Sequence, residues 1–168
     1  MSEKQTINLL TSAKWYDLTQ ALSIFTPPWP GEMPLQVHFF KRLTGSWGGG
    51  QGANGQLIEW SNNTGTHLVG PRAFHSGARA IAEIPLADLC GEGVIVDISD
   101  AVSDYSLYTP EMITERAEVK EGDILIINTG SHHKLGDNDD YYSYSPGLYK
   151  EAAEWIVERG VKLVGVAW

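Results

Sequence analysis

The second half of the chain alternates two kinds of segment, and that alternation limits the fold more than any other feature of the sequence. The run DILIIN at 123–128 is short, apolar and rich in β-branched residues. It follows the turn-prone KEG directly, so it reads as a buried strand. Further on, PGLYKEAAEWIVERG at 146–160 sets Leu148, Ala152 and Ile156 at helical spacing and places Gly160 where a helix cap would sit. VKLVGVAW at 161–168 is a second apolar strand. Strand, helix and strand in that order predict a right-handed parallel crossover, and hence an α/β fold. The loop after the first strand then opens at the carboxyl edge of the sheet, where α/β proteins place ligands. His132 and His133 lie in that loop. Upstream, VIVDIS at 94–99 is another strand, and IAEIPL at 81–86 leads into a turn or short helix.

Charge and composition narrow the partners. Twelve basic against 21 acidic residues leave a formal charge of −9 over 168 residues, which repels nucleic acid and anionic membranes. The chain has neither a leader-like N-terminus nor a run of about twenty apolar residues, so a soluble, cytoplasmic protein is expected. Cys90 is the single cysteine, which excludes an internal disulfide, and its apolar context LADLCGEGV reads as a buried structural thiol. The stretch TGSWGGGQGANG at 44–55 must be a loop. Without a Gly-Lys-Ser/Thr ending it reads as a flap or oligomer contact anchored by Trp47 rather than a phosphate cradle.

Six blocks carry a resemblance that spans nearly the whole chain from residue 15. WYDLTQALS at 15–23, TPPWPGE at 26–32, TGTH at 64–67, IPLADL at 84–89, GDILIINTG at 122–130 and GLYKEAAEW at 147–155 stand in the order expected of the cyclase-like metal-dependent hydrolases. The chain resembles that family, which includes bacterial kynurenine formamidase and isatin hydrolase. The resemblance implies a single domain over 1–168 with a swivelling β/β/α fold, assembled as a homodimer or tetramer. It also implies a divalent metal, zinc or manganese, that activates water against the amide, lactam or ester carbonyl of a small molecule. Relative to the family the C-terminal part is cut short at Trp168: the chain is natively short or derives from a longer parent. Ending on an apolar strand leaves an edge for another subunit, so an oligomer is expected.

The family's metal motif runs H-x-G-T-H-x-D-x-P-x-H. Laid on this chain without gaps, its first His falls on Asn63, its second on His67, its Asp on Val69, its Pro on Pro71 and its last His on Ala73. His67 alone keeps the ligand chemistry. In an extended segment, residues 63, 67, 69, 73 and 75 share a face, and Gly70-Pro71 is the step that would break this parity. His75 is therefore a candidate replacement ligand and a candidate catalytic proton shuttle. A hydrolytic metal needs about three protein donors and an open position for water. His67, His75 and either His132 or His133, with Asn63 as a weak donor, would supply them, and a His-rich set favours zinc. The opposing reading makes His67 a hydrogen-bonded core residue and His132 and His133 solvated loop residues.

Other conspicuous residues divide in the same way. Tyr16 and Trp29 suit stacking on a flat substrate, or local packing. The planar fork of Arg72 suits a substrate carboxylate, or a surface acid. His38, in LQVHFF, reads as a packed strand residue, and DNDDYY at 137–142 lacks the spacing of a calcium loop. Two functions remain: a metal-dependent hydrolase of small amides, lactams or esters, and an inactive paralogue that keeps the scaffold to bind a small molecule.

Overall fold

A computed structural model describes residues 12–41 and 53–167. In chain order it holds strands β1 (Gln36–Lys41), β2 (Gly55–Glu59), β3 (Gly93–Asp97) and β4 (Leu107–Tyr108), then helix α1 (Pro110–Thr114) and strand β5 (Ile124–Asn128). Helix α2 (Asp139–Ser143), strand β6 (Gly147–Leu148), helix α3 (Lys150–Glu158) and strand β7 (Leu163–Ala167) follow. The architecture is α/β, as the sequence predicts. The segments joining β2 to β3 use short 3-10 turns at Pro71–Ala73, Ile81–Glu83 and Leu86–Leu89. Among the described residues no helix is long and apolar enough to cross a membrane.

The centre is a parallel sheet ordered β3-β5-β7, with Val94, Leu125 and Val164 in one register row and Val96, Ile127 and Val166 in another. Partners in register share a face. That face meets α1 and α3 in a core of Val96, Ile98, Tyr108, Ile113, Val119, Leu125, Ile127 and Ile156. Burying each such aliphatic side chain contributes about 1.5–3 kcal/mol. The opposite face is barely covered, and Ile95 there is 60% exposed. Beside the sheet, β4 and β6 make a two-residue parallel ladder, and β1 and β2 form a separate antiparallel hairpin with an irregularity between Phe39 and Lys41.

Helix α3 ends as its sequence requires. Gly160 adopts φ +71°, its N–H donates to the Val157 carbonyl at 3.0 Å, and the Val161 N–H donates to the Ile156 carbonyl at 3.2 Å. These two bonds satisfy the last turn's carbonyls, and only a residue tolerant of the left-handed region fits there. Ala152 and Ile156 are buried as the helical spacing predicts. Leu148 is not in the helix: it belongs to β6 and is 38% exposed.

Two further expectations are corrected. Cys90 is exposed, because the Leu86–Leu89 turn lies on the surface, and its carbonyl accepts a bond from Lys162 Nζ at 2.8 Å. His38 sits on β1 but is exposed, since the hairpin is not folded into the central core. The glycine-rich stretch with Trp47 falls outside the described residues up to position 52, and Gly55 opens β2.

Candidate functional site

The segment 61–75 is a succession of tight turns. The Thr64 N–H donates to the Ser61 carbonyl at 3.2 Å, and Gly65 takes φ +71° with Leu22 Cδ1 3.2 Å from where a Cβ would stand. Thr66 Oγ1 accepts from the Gln20 N–H at 2.9 Å, so the N-terminal arm is tied to this turn. His67 folds back on it: Nδ1 donates to the Gly65 carbonyl at 2.7 Å. A carbonyl can only accept, so in the neutral ring Nδ1 carries the proton and Nε2 holds the lone pair. His67 is thereby oriented as a one-nitrogen donor, and it is exposed.

Asn63, at the first ligand position of the family motif, is engaged elsewhere. Its Nδ2 donates to Glu32 Oε1 at 3.4 Å, and Ser61 Oγ donates to the other oxygen, Oε2, of the same carboxylate. The turn PPWPG presents Glu32 for this, with Gly31 at φ +91° and the Glu32 N–H donating to the Trp29 carbonyl at 2.8 Å. Next to this group lies a shallow cleft of about 390 Å³ lined by Met33, Ile58, Glu59, Trp60 and Asn62. Thr64 is 4% exposed and its Oγ1 has no hydrogen-bond partner among the described residues.

Beyond His67 the parity expectation fails. Gly70-Pro71 starts a 3-10 turn in which the N–H groups of Phe74 and His75 both donate to the Pro71 carbonyl at 3.1 Å. The chain is coiled there, so His75 does not continue a face shared with His67; its ring folds toward Gly77, whose Cβ, if it had one, would stand 3.3 Å from Cε1. The Arg72 fork is also used locally, Nε donating to the Ala78 carbonyl at 2.9 Å and Nη2 pairing with Glu83 at 3.2 Å.

The carboxyl edge of the parallel sheet forms a second polar group. Asp97 accepts from the Ser99 N–H at 2.9 Å, from Ser99 Oγ at 2.6 Å and from Asn128 Nδ2 at 3.1 Å. The Ser99 bonds above all, helped by Asn128 and Arg116, hold its carboxyl below the ordinary Asp range. Past β5, Gly130 at φ +78° opens the turn Ser131–Lys134. There the His132 and His133 rings lie 4.0 Å apart, and His132 Nδ1 is buried with no hydrogen-bond partner among the described residues. Trp29 meets this side of the molecule: its ring is 5.9 Å from that of Tyr142, edge to face. Burial and the nearby Asp137 push the Tyr142 hydroxyl up to about 12. Tyr16 is 68% exposed, with Lys14 Nζ 4.7 Å above its ring.

A divalent metal tests this donor set. His67 offers one nitrogen; the Asn63 amide is bound to Glu32; Val69 and Ala73 offer nothing. Among the described residues no group of three His, Cys, Asp or Glu side chains could hold a metal ion. The residues do not fit the hydrolytic centre that the motif encodes. Glu32, Ser61 and Asp97 were not singled out in the sequence, and only the PG turn before Glu32 hinted at its placement.

Comparison with known proteins places the scaffold. A family model described as "Putative cyclase" matches residues 16–167. The kynurenine formamidase of Bacillus anthracis is 26% identical over 159 residues, covering 94% of this chain and 69% of that protein. The kynurenine formamidase of Bordetella petrii is 29% identical over 152 residues, covering 90% and 67%. Isatin hydrolase A from Labrenzia aggregata, solved with benzyl benzoate, superposes with a TM-score of 0.77 at 23% identity over 97% of this chain and 72% of its own. The fold and the sequence agree, and this chain belongs to the cyclase family.

Proposed function

We propose that this chain binds a small amide, lactam or ester in the cleft beside Asn63, and that it does so without the metal centre encoded by the family motif. The ligand class follows from its relatives, named for kynurenine formamide hydrolysis and isatin hydrolysis. The observation that carries the loss of the metal is the fate of the motif: Asn63 hydrogen-bonds to Glu32, and Val69 and Ala73 cannot coordinate. What remains suits recognition. Met33, Ile58 and Trp60 give the cleft apolar walls and Asn62 and Glu59 give it polar groups, the usual composition of a small-molecule site. Trp29, 58% exposed and steadied edge-on by Tyr142, offers a ring to a flat ligand.

His67 favours a second reading, in which hydrolysis is retained with the metal held by a rearranged set. Its Nδ1–H bond to a backbone carbonyl is the arrangement that orients metal-binding imidazoles. Mass spectrometry of metal in protein purified without added metal or chelator, beside His67→Ala, separates the two. The binding reading expects far less than one zinc or manganese per chain, unchanged by the substitution, and saturable calorimetric binding of isatin or an aryl formamide without turnover. Near-stoichiometric metal lost in His67→Ala, with turnover of either compound, installs the hydrolase reading instead.

A further inference from the structure

The β1-β2 hairpin is unlike the rest of the molecule. It is a two-stranded sheet with no described strand beyond it on either edge, and its packing is chiefly within itself. A lone hairpin is marginal in water and needs a covered apolar face. Yet Phe40, Leu57, Ile58 and Trp60 are 65%, 52%, 46% and 45% exposed, and the adjoining Met33 is 46% exposed. The chain as a whole exposes 12207 Å². A compact monomer of 18.5 kDa exposes about 8,200 Å². The excess of about 4,000 Å² is several times the roughly 800 Å² that each partner gives to a stable interface.

We infer that the hairpin face formed by Phe40, Leu57, Ile58 and Trp60 is the seat of a second copy of this chain, packed about a two-fold axis. Charge selects this surface. Two copies of a chain with net charge −9 repel, so they can meet only where charge is sparse. The eleven residues of β1 and β2 carry one cation, Lys41, and one anion, Glu59, and are neutral in sum. Geometry selects the occupant. An unpaired antiparallel edge is self-complementary under a two-fold, because the same strand presents matching donors and acceptors to its own copy. Ile58 and Trp60 also line the shallow cleft beside Asn63, so the second copy supplies the wall that the open cleft lacks. The interface stands whether or not that cleft binds the ligand proposed above.

Sedimentation velocity of the full chain between about 1 and 100 μM tests this. The wild type is expected to sediment as a dimer. Phe40→Glu/Ile58→Glu, which sets like charges across the two-fold, should raise the dissociation constant on the order of a hundredfold or more. Val157→Glu, at an exposed position on α3 away from the hairpin, should leave the dimer intact. A wild-type monomer throughout the range, or a dimer that survives the double substitution, overturns the inference. Hydrogen exchange of the unmodified chain gives a readout that needs no variant. Protection at 36–41 and 55–59 should rise with concentration, and concentration-dependent protection located elsewhere refutes the assignment.

Discussion

Tyr108 lies at 0% exposure in the core, and its hydroxyl has no hydrogen-bond partner among the described residues. Taking a hydroxyl out of water without a partner costs about 1–3 kcal/mol in proteins. Tyr108→Phe removes that group and leaves the ring against the same core neighbours, so the variant should gain about 1 kcal/mol rather than lose it. With a urea m-value of about 2 kcal/mol/M for a chain this size, the midpoint should move up by roughly 0.5 M at unchanged slope. The pH dependence gives a second signature. Burial pushes the Tyr108 hydroxyl up to about 12 from its ordinary value of 10. Below pH 10 both states keep the proton; between 10 and 12 the unfolded state loses it first, so native stability falls as pH rises. Phe carries no such proton, and the gap between variant and wild type should widen over that window. A Tyr108→Phe variant that unfolds at lower urea, with no widening at high pH, would mean the hydroxyl is hydrogen-bonded and would refute the reasoning.

Gly160→Ala should cost about 1–2 kcal/mol by thermal or urea unfolding, because φ is +71° there and the new Cβ would stand 2.9 Å from Glu121 Cγ. An unchanged midpoint would show that the cap tolerates a side chain. Asp97→Asn acts through acid stability. The wild-type carboxyl is held below its ordinary value of 3.8, chiefly by Ser99, so the stability it contributes is complete above that value and is lost as pH falls through the lower folded-state value. The variant should lack that part of the acid transition, and superimposable acid unfolding curves would sink the assignment.

The central sheet and α3 were legible because burial leaves marks in sequence. Leu125 and Ile127 must be apolar to sit beneath the helices, and Gly160 must be glycine-like to cap α3. Leu148 misled because its spacing fits a helix while its backbone pairs with Leu107 and Tyr108 in a ladder too short to leave a periodic signal. The exposure of His38 and Cys90 depends on what covers a strand or a turn, which local pattern does not encode. In the site, His67 was found through the motif, and its bond to Gly65 spans two residues. The contact of Glu32 with Asn63 spans 31 residues, and Asp97 meets Asn128 only through the β3-β5 register. No window along the chain contains either pair. The turn at Pro71–Ala73 removed His75 from the expected face because proline fixes its own φ and ends the extended run.

The N-terminal arm has a consequence of its own. Between residues 12 and 34 no side chain is buried. The arm is tied down by the Gln20 bond to Thr66, the Trp29 contact with Tyr142 and the Glu32 carboxylate at Ser61 and Asn63. These contacts are few, and none belongs to the hydrophobic core, so releasing the arm takes only a fraction of the global unfolding free energy. The arm therefore behaves as a clasp that can unlatch while β3, β5 and β7 stay paired. Traffic into the cleft is then timed by unlatching rather than by the stability of the protein, and a protease should cut the arm long before it reaches the sheet.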